Sequence, residues 1–346
     1  MYSYSISTTR RLGFSYPPFA ALALYLLTWV PLSMVTAGWS VGVIGALFVS
    51  MWWTLPDRMR HLPARRLGPL CAGITAVALF FGPVRDTFSF GQVGLFLALP
   101  VLADVRALRR GSRWAGVGIG IAAALKLTPA IFVLYLVVTG RTRPAITALA
   151  AAGFSTLIAA AVSPSVSASY WLNIVWQTDR IGSIGSSSNQ SLFGLVTRLA
   201  NDDAYGGHAP LAAYVGPCAV VTIVGLRRAR CAFIAGDDSA GVVLTGLLAG
   251  LISPISWVHH LYWIVPACVI LVDVSLVRGR ALPALLAGCI YLVGVSHVIE
   301  ANFRPAGQHH THSLLGVLGE NAYVVISLVL LMSTPSRPAM WRGGGG

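Results

Sequence analysis

Apolar stretches about as long as a bilayer is thick recur from one end of this 346-residue chain to the other. They fall near residues 18–35, 39–55, 68–82, 90–105, 114–139, 144–163, 209–226, 240–256, 257–275, 281–299 and 316–333. Backbone that enters hydrocarbon must satisfy its own hydrogen bonds, so each stretch predicts a helix. Only 10% of the residues are charged, against roughly 25% in a soluble domain. The chain is expected to be an all-α polytopic membrane protein, a bundle of about 9–11 transmembrane or re-entrant helices.

The formal net charge is +13. On a soluble surface that balance suggests nucleic acid. Here the arginines fall in short loops between apolar segments, so orientation in the membrane explains them and no nucleic-acid partner is expected. The clusters are Arg58/Arg60/Arg65/Arg66, Arg106/Arg109/Arg110/Arg113, Arg141/Arg143, Arg227/Arg228/Arg230, Arg278/Arg280 and Arg337/Arg342. The positive-inside rule makes these loops cytoplasmic. Loops 83–90, 164–208, 256–260 and 300–315 then face outward from the plasma membrane and carry the polar chemistry. Cys71, Cys218, Cys231, Cys268 and Cys289 form no CxxC pair and read as packing residues. Met1 to Tyr16 lacks the basic-then-apolar order of a secretion signal. Residues 335–346 read as a flexible cytoplasmic tail.

Residues 114–139 break the alternation, because basic clusters flank both ends. Lys126-Leu127-Thr128-Pro129 lies in the middle. Pro129 removes a helical hydrogen bond and biases residue 128 away from helix. We expect a re-entrant helix pair with Lys126 near its outer tip, or else one long kinked span. Lys126 is the only lysine. It either snorkels to the interface or contacts an anion, most simply a phosphate.

Four further constellations stand out. Gly82-Pro83-Val84-Arg85-Asp86 precedes Phe90-Gly91-Gln92; Arg85 and Asp86 either pair or serve a substrate, Gln92 needs a partner, and Gly91 permits close approach of backbone or ligand. Ser188-Asn189-Gln190-Ser191, followed by Arg198, offers amides that can grip sugar hydroxyls; helix capping is the plainer alternative. Ser253-Pro254-Ile255-Ser256-Trp257 leads into His259-His260. Adjacent imidazoles diverge by about 100° on a helix, so no metal is expected there; with the neighbouring aromatics they suit a sugar or phosphate, although Trp and Tyr also anchor interfaces. The loop at 300–315 holds Arg304 and His309-His310-Thr311-His312, a tract without a carboxylate or cysteine and so a poor metal site. Asp86, His259 and His260 are the catalytic candidates. Arg85, Gln92, Lys126, Asn189, Gln190, Arg198, Trp257 and Arg304 are the substrate-binding candidates.

Taken in order, Phe14-Ser15-Tyr16-Pro17-Pro18, Asp86 with Phe90-Gly91-Gln92-Val93, Leu125-Lys126-Leu127-Thr128-Pro129, Ser188-Asn189-Gln190-Ser191 and Ser253-Pro254-Ile255-Ser256-Trp257 with His259-His260 resemble glycosyltransferase family 87. These are C-type (GT-C) membrane enzymes of mycobacteria and related actinobacteria. The resemblance implies a polyprenyl-phosphate sugar donor carrying mannose, a glycolipid or glycan acceptor on the outer face, contact with membrane lipids and no cofactor. It implies direct displacement with inversion, a carboxylate taking the acceptor proton while Lys126 or Arg198 meets the phosphate.

In the family layout a further helix and an outer loop with an Asp, expected to act as base, come before the Tyr-Pro-Pro segment. No Asp or Glu precedes Asp57 here. The resemblance therefore implies that residues 1–38 are a remnant of that loop with an interfacial helix, and that 39–334 form the GT-C-like domain with outer loop 164–208. It also implies that the chain as written is inactive or nearly so, with an upstream extension of very roughly 50–90 residues. Asp86 is the substitute base. A catalytically inactive relative, an arabinofuranosyltransferase and a lipid or sugar transporter are the competing readings.

Overall fold

A computed structural model describes residues 14–56, 59, 62–200, 211–302 and 313–335, and the regular structure among them is helical. The first half comprises α1 (Pro18–Tyr25), α2 (Leu32–Thr54), α3 (Ala64–Ala78), α4 (Gly82–Ser89), α5 (Gly94–Arg109), α6 (Val117–Leu125), α7 (Ile131–Val138), α8 (Thr142–Val162) and α9 (Pro164–Leu172). The second comprises α10 (Leu192–Leu199), α11 (Leu211–Ile234), α12 (Asp238–Ile252), α13 (Ile264–Arg278), α14 (Ala281–Val295), α15 (Val298–Ala301), α16 (Leu314–Glu320) and α17 (Ala322–Ser333).

The core is built around α12. Every residue from Ser239 to Leu251 is buried, and α12 packs against α7, α11, α13 and α17. A helix that is apolar all round has no face to give to solvent and belongs in the middle of a bundle. Leu32–Thr54, Thr142–Val162 and Val258–Arg278 are long and apolar enough to cross a membrane alone. Pairs α3–α4 and α16–α17, bent by 76° and 78°, bring the crossings among the described residues to five if each pair is one span. The multi-pass helical architecture is thus a mixture of full crossings and short or broken helices.

Several boundaries differ from those read in the sequence. Leu32–Thr54 is one helix, so a domain boundary at residue 38 falls inside it. Pro31 starts this helix, and Gly38 passes through it with open space around. The Arg227/Arg228/Arg230 cluster lies within α11 and not in a loop. Arginine is a good helix former, and α11 runs on until Gly236, whose φ of 82° only glycine adopts freely.

Residues 117–138 form a hairpin. A Cβ on Gly116 would lie 2.2 Å from the Pro144 carbonyl oxygen, and one on Gly120 would lie 2.3 Å from that of Ala148. The advance from 144 to 148 as 116 goes to 120 means that α6 runs parallel to α8. The chain leaves α7 at Val138 and begins α8 at Thr142, so α7 returns toward the end where α6 began. Both ends of the segment therefore meet, with Lys126 at the tip. Nine residues of α6 rise only about 13–14 Å, roughly half the hydrocarbon thickness.

Charge separates along the bundle. At one end Asp238 accepts from Arg141 (2.8 Å) and Arg109 (3.3 Å), and Arg228 donates to the Thr334 carbonyl. The polar motifs singled out in the sequence converge at the other end.

Candidate active site

The hairpin tip supplies the central cation. α6 stops at Leu125, Lys126 is extended (φ −152°, ψ 132°), and Thr128–Ala130 makes a single 3₁₀ turn before α7. Lys126 Nζ lies 2.8 Å from His260 Nε2 and 5.2 Å from the centroid of the Tyr16 ring. The Tyr16 hydroxyl donates to Gln92 Oε1 at 3.0 Å. An ammonium has donors and no acceptor. While Lys126 carries its proton, His260 Nε2 must accept, and the ring proton resides on Nδ1. His260 Nδ1 and His259 Nε2 are buried with no hydrogen-bond partner among the described residues. A buried polar atom is costly until something bonds it, so these two nitrogens are the atoms through which the corner can hold a ligand.

Beneath this corner runs a small cleft of about 50 Å³, lined by Lys126, Phe132, Gly246, Gly250, His260 and Trp263 among others. A Cβ on Gly246 would meet Trp263 at 2.2 Å, so glycine is what lets the indole lie against α12. Phe132 packs on the same ring at 5.7 Å. The cleft is apolar with one charged end.

Asn189, Gln190 and Arg198 are engaged elsewhere. Asn189 Oδ1 accepts from the Ser256 N–H (2.9 Å), and its Nδ2 donates to the Ile184 and Pro254 carbonyls. Gln190 Nε2 donates to the carbonyls of Ser187 and Glu320, while its Oε1 accepts from the N–H groups of Tyr323 and Val324. Arg198 donates to the Ser186 and Asn189 carbonyls and, from Nε and Nη2, to Asn321 Oδ1. All three are buried. In the structure their polar atoms bond backbone groups, and the Asn321 side chain, at the bend and in the irregular loop. Trp257 is half-buried and pairs its backbone with Asn189, so this network sets the position of the His259–His260 turn.

Arg85 does not hydrogen-bond Asp86 in the described structure. Its Nη2 donates to Glu300 Oε1 at 2.6 Å, and its Nη1 lies 3.0 Å from His297 Nε2. His297 has a φ of 56°, uncommon outside glycine. α4 turns 76° from α3, is not among the three helices long enough to cross alone, and packs on the Val258–Leu261 turn. There burial pushes the Asp86 carboxyl up to about 6; Glu300 adds to the rise, while Arg85 and His297 oppose it. Burial likewise pushes the Tyr16 hydroxyl up to about 12. Gly91, with a φ of 57°, ends α4, and no backbone approaches it: no atom lies within 4 Å of a Cβ built there. Arg304 and the tract at His309, His310 and His312 lie outside the described residues.

Tyr16, His297 and Glu300 were not singled out as site residues in the sequence. Tyr16 stood in a quoted motif, and that was its only signal. His297 and Glu300 carried none, because their neighbour Arg85 is more than two hundred residues away along the chain. Among the described residues no three His, Cys, Asp or Glu side chains come together to hold a metal.

The family model described as glycosyltransferase family 87 matches residues 14–254. A polyprenol-phosphate-mannose-dependent alpha-(1-2)-phosphatidylinositol pentamannoside mannosyltransferase of Mycolicibacterium smegmatis is 35% identical over 260 residues, covering 74% of this chain and 60% of that protein. The protein of the same description from Mycobacterium tuberculosis is 34% identical over 270 residues, covering 76% and 59%. A polyprenol-phosphate-mannose-dependent alpha-(1-2)-phosphatidylinositol mannoside mannosyltransferase of Mycobacterium tuberculosis is 29% identical, covering 75% and 62%. The chain thus spans about 60% of the length of the curated relatives it matches. No solved structure matches.

Proposed function

The chain belongs to glycosyltransferase family 87, and from that premise we propose that its site transfers mannose from a polyprenyl-phosphate donor to a phosphatidylinositol mannoside acceptor. The observation that carries this reading is the Lys126–His260 pair at the head of an apolar cleft. A polyprenyl phosphate has the same two parts, an anion and a hydrocarbon chain. The ammonium of Lys126 faces the phosphate, and His260 Nδ1–H and His259 Nε2 bond phosphate or sugar oxygens. As the glycosidic bond breaks, negative charge grows on the leaving phosphate. Fixed donors in a dry site stabilise that charge more in the transition state than in the bound donor. The Tyr16 ring faces the Lys126 ammonium, and the Tyr16 hydroxyl is itself fixed by donating to Gln92.

Transfer needs a base to take the acceptor proton, and inversion places that base across the anomeric carbon from the phosphate. Asp86 is the candidate among the described carboxylates: it is on the helix packed against the histidine turn, and burial raises its affinity for a proton, to about 6. The motif-bearing end of the bundle faces outward, opposite the arginine clusters at 109–113 and 141–143.

The test is made on membranes containing the chain, given labelled polyprenyl-phosphate mannose and phosphatidylinositol mannosides. With Asp86 acting as the substitute base, against the inactive chain that the family layout implies, the expected result is a labelled glycolipid with the new linkage inverted. Donor binding without transfer overturns the assignment of transferase activity to this chain; no donor binding overturns the donor site itself.

A further inference from the structure

The arginine-rich end of the bundle divides its charges unequally. Arg109 and Arg141 both meet Asp238. Arg113 and Arg143 form no salt bridge among the described residues, and both are exposed. Together with Leu108, Gly111, Ser112, Ala115 and Pro144 they line a cavity of about 210 Å³, and no carboxylate lines it.

The cavity exists because of how α5 ends. Arg110 N–H bonds back to Arg106 and Ala107, Ser112 N–H bonds to Ala107, and Gly111 takes a φ of 65°, which turns the chain out of the helix. Gly116, with a φ of 107°, then brings the backbone against Pro144 at the start of α8. The loop carrying Arg113 is thereby held beside the first turn of α8, which carries Arg143. That turn has no side-chain cap, so its free N–H groups add partial positive charge on the same side. Arg113 lies over the Trp114 ring at 5.1 Å, and Trp114 is 64% exposed. An exposed indole beside an arginine is what a membrane–water interface accommodates.

We propose that this cavity holds the phosphate of an anionic membrane phospholipid, with Arg113 and Arg143 as its cations and the Ser112 hydroxyl within its wall. The site lies at the opposite end of the bundle from Lys126 and does not rest on the proposed transferase activity. Basic pockets between membrane helices recognise head groups through the same combination of arginine, helix end and interfacial aromatic. Free phosphate has the same charge but no acyl chains, and the exposed apolar surface of Trp114 favours the lipid.

The full chain, purified in detergent, is examined by native mass spectrometry with phosphatidylglycerol and phosphatidylcholine of matched chains. Phosphatidylglycerol should be retained in preference. The double variant Arg113→Gln, Arg143→Gln should lower its occupancy about 30-fold, as expected for two interfacial arginines. Ser112→Asp keeps an acceptor for the Trp114 N–H, which Ser112 Oγ binds at 3.2 Å, and places a negative charge in the cavity. It should show the same loss with an unchanged melting temperature, which separates lost binding from lost folding. Arg227→Gln with Arg230→Gln should leave occupancy unchanged. Equal retention of the two lipids, an unaffected Ser112→Asp variant, or displacement by millimolar inorganic phosphate overturns the proposal.

Discussion

Replacing Lys126 by glutamine keeps a donor near His260 but removes the charge. Losing a charge-assisted bond in a dry site costs on the order of 1.5–3 kcal/mol. Lys126→Gln should therefore lower kcat/KM for the lipid donor about 10–100-fold and leave the acceptor KM nearly unchanged. Unaltered donor kinetics assign Lys126 to snorkelling alone. Asp86 allows a prediction of opposite sign for stability. Its folded affinity for a proton is raised, to about 6 from 3.8, so the stability it contributes is fully present below pH 3.8 and is lost as pH rises through about 6. Asp86→Asn should melt higher than the parent at pH 7.5 and show no such gain near pH 3.5. As a base, its loss should slow transfer about 10²–10⁴-fold. A lower melting point at pH 7.5 would mean that Arg85 and His297 outweigh burial. Lys126 and His260 were legible in the sequence because a lone lysine before Thr-Pro, and a histidine pair at a corner, are hard to place otherwise. Asn189, Gln190 and Arg198 were ambiguous in the sequence for a physical reason. An amide that fits a sugar hydroxyl fits a backbone carbonyl equally well, and only burial, which depends on distant residues, decides between them.

At the scale of elements, breaks with a local cause were legible and breaks without one were not. Pro129 announces the hairpin tip. The bend between α16 and α17 has no proline; it sits at Asn321, where Arg198 bonds the Asn321 side chain and Gln190 bonds the flanking backbone. Gln190 is a cap supplied from another part of the chain: its Oε1 takes the first N–H groups of α17, and its Nε2 takes the carbonyl that ends α16. Gln190→Ala leaves several buried backbone groups open, each costing about 1–3 kcal/mol. The variant should melt well below the parent and be cut more readily by protease near residue 321. If it melts with the parent while losing donor binding, Gln190 contacts the sugar after all and the scaffold role fails. The same logic extends to α6. Its glycines at 116 and 120 let it lie on α8, and a helix carrying side chains there would stand off and carry Lys126 away from His260.

The whole molecule is polarised: Arg109 and Arg141 meet Asp238 at one end, and Tyr16, Asp86, Gln92, Lys126, His259 and His260 gather at the other. Loop charge alone was enough to sort these groups into two sides. It was not enough to show that residues 16, 92, 126 and 260 meet, since that depends on the packing of α1, α5, the hairpin and the corner before α13. The orientation proposed above rests on the energy of moving arginine-rich loops across a bilayer, which favours keeping the Arg109–Arg113 and Arg141–Arg143 side within the cell. The measurable consequence concerns exposed positions at the two ends. Phe90 is 64% exposed beside the histidine turn, and Arg110 is exposed at the other end. Cys71, Cys218, Cys231, Cys268 and Cys289, all free thiols, are first replaced by alanine or serine. Single Phe90→Cys and Arg110→Cys variants are then treated with a membrane-impermeant maleimide, before and after permeabilisation. Position 90 should react in intact cells and position 110 only in permeabilised ones. The reverse pattern turns the bundle over and places the lysine–histidine corner on the cytoplasmic side, where its donor would have to be presented from within. Reaction at both positions in intact cells would mean that the two ends do not lie on opposite faces, and the re-entrant reading of the hairpin would fall with it, because that reading needs Gly116 and Pro144 on one face and the motif end on the other.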